Sequence, residues 1–217
     1  MRKTIPLAAA AGALALTGCG PKALTLPADP VEQAATCGVV AAAGARVGQA
    51  ADAISKPLPL AAQAKTIHYA LLAGAASEPF SQERVAAVVN RMPQIGDQVT
   101  KGKWQDLAPA CAAAYPQAEA ATPVTLPKDA LDAQLGCYTL AAFLEKAFAT
   151  QGDAYLSDTS AWSAMRRKLD DRIGSKLSAR GKDDAESQAS ERADALGEAA
   201  KLGPPVKVME ACVARFG

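Results

Sequence analysis

The 217-residue chain has few aromatic side chains and no excess of charge of either sign. Four phenylalanines, two tryptophans and four tyrosines are too few for a large β-sandwich or barrel, which favours aromatic and β-branched residues. Twenty-three basic and 22 acidic residues create no general positive field, which disfavours nucleic-acid binding. Half of the residues are hydrophobic and 52 are alanine, which excludes a disordered chain and predicts an all-α fold with small-residue packing.

Patterns typical of catalytic or metal sites are also missing from the sequence. It contains no Gly-x-Ser-x-Gly, Ser-x-x-Lys or His-Glu-x-x-His pattern and no Cys-x-x-Cys pair, so a hydrolase motif, a redox motif and a zinc knuckle have no support. His68 is the single histidine and lies in an apolar helical stretch, where a buried structural role is expected rather than a catalytic triad. We therefore predict no catalytic residue, no metal and no cofactor.

No apolar run reaches the roughly 20 residues that a membrane-spanning helix needs. Residues 5–16 form a twelve-residue apolar stretch behind the basic start Met1-Arg2-Lys3, which is typical of a signal peptide. The stretch ends in Leu16-Thr17-Gly18-Cys19. An apolar residue, two small residues and a cysteine in this order resemble the lipobox of bacterial lipoproteins.

The resemblance implies that residues 1–18 are removed as a signal peptide and that the Cys19 thiol takes up a diacylglyceryl group. It further implies export to the bacterial envelope, with residues 19–28 as a lipidated tether facing the periplasm. Gly20 stands where an aspartate tends to retain lipoproteins in the inner membrane, which favours the outer membrane. The alternative is an ordinary secretory signal that is cut nearby.

Four further cysteines, an even number in an oxidising compartment, predict two disulfides with three possible pairings. Cys37 and Cys111 are 74 residues apart and Cys137 and Cys212 are 75 apart, and Thr-Leu-Pro at 25–27 recurs at 125–127. These matches predict an internal duplication, with copy one at 25–116, a linker at 117–124 and copy two at 125–217. Pairing within each copy would then close each domain. Chance similarity between alanine-rich segments is the alternative.

The sequence predicts four helices in each copy, and therefore two tandem four-helix domains that are each closed by a disulfide. An aspartate N-cap, Asp29 or Asp129, begins the first helix of each copy, and the first helices end near residues 50 and 150. Pro93 is expected to break the third helix of copy one. The remaining helices are predicted at 59–75 and 158–178, at 81–92 and 183–201, and at 104–115 and 205–215.

Several polar and aromatic residues are candidates for binding. Arg91 and Arg192 occupy matching positions and could each bind a phosphate or carboxylate, or form an ion pair within the domain. The basic segment 166–182 could contact anionic lipid or an acidic partner, although acidic neighbours could compensate its charge. Trp104 and Trp162 do not correspond between the copies and are expected to fill the core or a groove rather than to stack on a ligand.

These observations favour a membrane-anchored, non-enzymatic interaction or assembly module of the bacterial envelope. Its partners would be the membrane, to which N-terminal acyl chains attach it, and an envelope protein. Nucleic acid is not an expected partner. One alternative is a protein that binds a small ligand or lipid between its helices, which requires an apolar cavity of several hundred Å³. Another is an envelope hydrolase with a nonstandard carboxylate site.

Overall fold

The computed structural model of the protein describes residues 24–53, 55–119 and 123–217. The predicted signal peptide and lipidated Cys19 lie outside these ranges. Within them the secondary structure is helical throughout, without a strand. The all-α prediction is therefore confirmed.

The first half of the chain forms three long helices followed by short ones. The long helices are α1 (Pro30–Arg46), α2 (Leu60–Ala75) and α3 (Gln82–Thr100). A 3₁₀ turn, Trp104–Leu107, leads into α4 (Ala108–Ala114) and α5 (Pro116–Glu119). The single helix predicted at 104–115 is thus divided into a 3₁₀ turn and a seven-residue α-helix.

The second half has a similar order, and most of its helices are longer than those at the same place in the first half. It comprises α6 (Ala130–Phe148), α7 (Leu156–Ala179), α8 (Ala185–Lys201) and α9 (Pro205–Phe216). A 3₁₀ segment, Ala149–Tyr155, joins α6 to α7 and turns at Gly152, whose φ of 61° favours glycine. The helix ends lie within a few residues of the predicted ones.

The two halves begin with the same capping interaction. Asp29 accepts hydrogen bonds from the backbone N–H groups of Val31 and Glu32, both at 3.0 Å. Asp129 accepts the same two bonds at the start of α6, both at 2.9 Å. These bonds pair backbone N–H groups that have no partner inside the helix, which explains why both helices begin at these positions.

The prediction that Pro93 breaks the third helix is wrong. Helix α3 continues through Pro93 to Thr100. Buried side chains lie on one face of the helix on both sides of the proline, namely Val85, Val88, Ile95 and Val99. The carbonyl that loses its N–H partner belongs to Val89, which is 42% exposed, so the defect lies on the solvent side of the helix.

Both cysteine pairs are bonded as predicted. Cys37 of α1 is joined to Cys111 of α4, and Cys137 of α6 is joined to Cys212 of α9. All four residues are buried. Each disulfide therefore ties the first helix of its half to a helix near the end of that half, inside the core.

The hydrophobic core is continuous through both halves. Helix α2 packs against α1 and α3 of its own half and against α8 and α9 of the second half. One hydrogen bond between the halves runs from the Tyr155 hydroxyl to the Leu58 carbonyl at 2.6 Å. Another runs from the Phe80 N–H to the Asp194 carboxylate at 3.1 Å. The division into two tandem domains stays a prediction, and the halves it defines share one core.

The contact between α2 and α3 depends on a glycine, which gives a stability prediction. A Cβ at Gly74 would lie 2.5 Å from Val85 Cγ2 and 2.9 Å from the Ser81 carbonyl oxygen. We expect Gly74→Ala to lower the free energy of unfolding by about 1–3 kcal/mol, because the obstructing backbone cannot move aside. Gly96→Ala in α3 is the control: it meets no atom within 4 Å and should stabilise by about 0.5–1 kcal/mol. Urea unfolding measures both, and equal stability of Gly74→Ala and wild type would contradict the packing.

Candidate functional site

The candidate site is a groove in the second half, between α6 and α8. Its volume is about 320 Å³, and the segment before α6 and the start of α9 complete its walls. Small and aliphatic side chains line most of it. A Cβ placed at Gly136 would lie 3.4 Å from Ala199 Cβ, so glycine and alanine here let α6 and α8 approach each other closely beside the groove. The aliphatic lining residues are Leu126, Leu135, Leu202 and Val208.

Four carboxylates also line this groove, and no basic side chain does among its described lining residues. They are Asp132 on α6 and Glu191, Asp194 and Glu198 on α8. The three on α8 are spaced i, i+3 and i+7, which places them on one helical face. The groove is therefore apolar in its depth and acidic along one side.

Cations from outside the groove contact some of these carboxylates. Arg180 lies 2.8 Å from Asp132 and 2.7 Å from the N-cap Asp129. Hydrogen bonds from the Asp132 and Leu131 N–H groups, together with Arg180, hold the pKa of Asp129 below its usual value. Glu191 pairs weakly with Arg180 and Lys182, and Glu198 pairs with Lys201. Asp194 has no ion-pair partner in the described part of the chain.

The first half has a smaller groove, of about 150 Å³, at the matching place. Pro27, Glu32, Thr36 and Leu107 line it, and they match Pro127, Asp132, Gly136 and Val208 at offsets of 100 and 101. Larger residues stand where the second half has small ones: Thr36 for Gly136, and Gln98 for Ala199. The first groove is accordingly about half as large.

Arg91 lines the smaller groove, but its match Arg192 does not line the larger one. The Arg91 guanidinium donates to Glu32 at 2.7 Å. Arg192 instead lies 5.9 Å from the ring centroid of Tyr138, and its Nε has no hydrogen-bond partner within the described structure. The sequence places the two arginines in matching positions, yet the structure gives them different neighbours. Binding of an anion by either residue stays a prediction.

His68 is completely buried and joins the two halves. Its Nε2 lies 2.7 Å from the carbonyl oxygen of Ala200 at the end of α8. That carbonyl has no partner in its own helix, since the residue four positions on is Pro204, which has no N–H. Nε2 therefore carries the proton and donates. Burial lowers the pKa of His68 to about 4.

The remaining candidates lie away from the groove or at its edge. Trp162 is buried, as expected, whereas Trp104 is partly buried against the core. In the basic segment 166–182, Arg166 pairs with Glu145 and Lys176 donates to Gln134. With Arg180 and Lys182, which pair with carboxylates, Arg166 is one of three among the segment's seven basic residues that have an ion-pair partner in the described part of the chain.

Within residues 24–53, 55–119 and 123–217, no group of three potential metal-ligating side chains was found. None of the described helices combines the length and apolar character needed to cross a membrane. Comparison with protein-family models, with curated proteins and with solved structures gives no match to this chain.

Proposed function

We propose that this protein is a membrane-anchored lipoprotein of the bacterial envelope that acts as a non-enzymatic interaction or assembly module. The lipobox-like Leu16-Thr17-Gly18-Cys19 supports a lipid anchor at Cys19, with the helical body facing the periplasm. Two buried disulfides are consistent with an oxidising compartment. Gly20 favours the outer membrane.

The difference between the two grooves is the observation that carries the interaction role. Both halves have the aspartate cap, the disulfide and a groove at the same place. In one half an ion pair between Arg91 and Glu32 lies at the groove, while in the other the groove is larger and lined by acids. A duplicated binding module would retain its scaffold and change its binding face in this way, which also supports the proposed duplication.

Binding of a small ligand is the second candidate function. The volume of about 320 Å³ is at the lower end of the range for small-molecule pockets, and its apolar depth with a few polar groups is typical of them. A protein partner would leave crosslinks to a polypeptide, whereas a small ligand would not. The crosslinking experiment below therefore separates the two functions.

The proposed function is tested in intact cells by labelling and by photo-crosslinking. A palmitate analogue should label the wild type, and Cys19→Ala should lose the label and its attachment to the membrane, since the acylated thiol is gone. A photo-reactive residue at Leu202, at the groove, should crosslink to one envelope protein that mass spectrometry identifies. The same residue at Val89, which is exposed on α3, is the matched control.

Each part of the experiment can contradict the proposal. A label that persists in Cys19→Ala would show that the lipid is attached elsewhere or that the labelling is unspecific. Absence of a protein adduct from both Leu202 and Val89 would contradict an interaction role. An adduct from Val89 alone would show that the partner binds the first half and not the groove.

A further inference from the structure

The acidic residues of α8 separate two hollows rather than bordering one. Asp194 and Glu198 line the groove of about 320 Å³ and also a neighbouring hollow of about 240 Å³. The second hollow is formed with the loop after α2, which includes Glu78 and Phe80. A partner segment lying across α8 would therefore meet carboxylates at its centre and the apolar groove on one side of them, while Glu78 and Lys201 line the hollow on the other side.

The first half indicates what kind of group fits such a groove. There the Arg91 side chain lies at the groove and its guanidinium binds Glu32. An arginine combines an aliphatic stem with a cationic end, and so suits apolar walls beside a carboxylate. In the second half the matching Arg192 lies over Tyr138, and Arg180 from α7 contacts Asp132.

The negative charges of the three carboxylates on α8 are only partly balanced by cations of the same chain. Lys201 contacts Glu198, and Lys182 and Arg180 reach Glu191 at 3.5 Å and 3.7 Å. Asp194 accepts a hydrogen bond from the Phe80 N–H and forms no ion pair among the described residues. A positive side chain from a partner would complement this face, and its charge would favour association over a neutral one.

We propose that the groove between α6 and α8 binds a polypeptide segment in which an aliphatic side chain is flanked by lysine or arginine. The aliphatic side chain enters the hollow lined by Leu135, Leu202 and Val208, while the flanking cations meet Asp194 and Glu198. This inference rests on the proposed interaction function and specifies the chemistry of the partner.

The test uses a dye-labelled, acetylated and amidated peptide, Lys-Lys-Leu-Lys-Lys, titrated against the purified full-length chain in non-ionic detergent. Fluorescence anisotropy should show saturable binding that weakens with salt. Serine in place of the leucine should weaken binding about tenfold or more, because the apolar contact of the buried leucine is lost. Glu-Glu-Leu-Glu-Glu should not bind.

Variants locate the binding in the groove. Gly136→Thr introduces the residue that the first half has at this position, and by filling the groove it should weaken binding about tenfold or more. Gly174→Thr in α7 is the matched control, since a Cβ there meets no atom within 4 Å; its affinity should equal the wild type. Asp194→Asn together with Glu198→Gln should weaken binding and flatten its salt dependence.

Two results would overturn the inference. One is equal affinity for the leucine and serine peptides, which would indicate charge attraction alone. The other is unchanged affinity in Gly136→Thr. If crosslinking finds a partner through another face while the peptide does not bind, the inference fails and the interaction function stands. If the peptide binds as expected but no envelope partner is found, the interaction function is contradicted. The inferred preference of the groove for an aliphatic side chain flanked by cations is then retained.

Discussion

Removal of the Cys137–Cys212 disulfide by a paired change to alanine should lower the free energy of unfolding by about 4 kcal/mol. The bond closes a loop with a sequence separation of 75 residues, so its loss gives the unfolded chain much more conformational freedom. Alanine is preferred to serine because both positions are buried and a hydroxyl would need a partner there. Urea unfolding, monitored by circular dichroism, measures the loss.

The other disulfide provides a matched comparison. Cys37–Cys111 has a sequence separation of 74 residues, so loop entropy predicts nearly the same loss of stability in the corresponding pair of alanines. Helix α4, which carries Cys111, has seven residues, and helices this short are marginal in water without tertiary contacts. We therefore expect hydrogen exchange in α4 to accelerate beyond the global change.

Reduction of the wild type distinguishes the covalent bond from the packing of the side chains. A reducing agent should lower the stability of the wild type towards that of the alanine variants, and should have no effect on a chain that lacks all four buried cysteines. A loss below about 1 kcal/mol on removal of either bond would contradict the view that these bonds stabilise the two halves.

Local signals in the sequence predicted the helices and the cysteine pairing. Asp29 and Asp129 are strong N-caps, and their effect is confined to a few neighbouring backbone groups. The near-equal cysteine spacings narrowed three possible pairings to one. Pro93 misled the prediction, because the buried positions on both sides of it favour one continuous helix more than the lost hydrogen bond opposes it.

Neither the junction between the two halves nor the groove could be predicted in the same way. They depend on contacts between residues far apart in sequence, such as Phe80 with Asp194. One signal was nevertheless present: residues 69–75 of α2 are apolar on every side, which is typical of a helix that is buried all round. The size of the groove depends on small residues such as Gly136 and Ala199, which belong to no recognisable sequence motif.

Stability should also fall between pH 6.5 and pH 4, because His68 accepts a proton more readily in the unfolded chain than in the folded one. Its pKa is about 4 when buried, against an ordinary value of 6.5. In this window the unfolded state binds more protons, so the free energy of unfolding rises with pH and falls as acid is added. The expected loss is about 2 kcal/mol at pH 5 and about 3 kcal/mol at pH 4, relative to neutral pH.

The geometry explains why the folded protein opposes this protonation. Nε2 already donates its proton to Ala200, so the second proton must be placed on Nδ1. Nδ1 is buried and has no acceptor among the described residues, and the nearby positive charge of Lys65 further lowers the pKa. A protonated His68 would leave a buried charge at the contact between α2 and α8, which carries a large desolvation cost.

His68→Gln is the control that separates this residue from the acidic side chains that also titrate. A glutamine amide can donate to the Ala200 carbonyl but does not take up a proton. The variant's stability should change little between pH 7 and pH 5, whereas the wild type should lose about 2 kcal/mol over the same range. Parallel curves for the two proteins in urea unfolding at each pH would mean that His68 is not the titrating group. An NMR titration that gave the folded imidazole an ordinary pKa would contradict its burial between the halves.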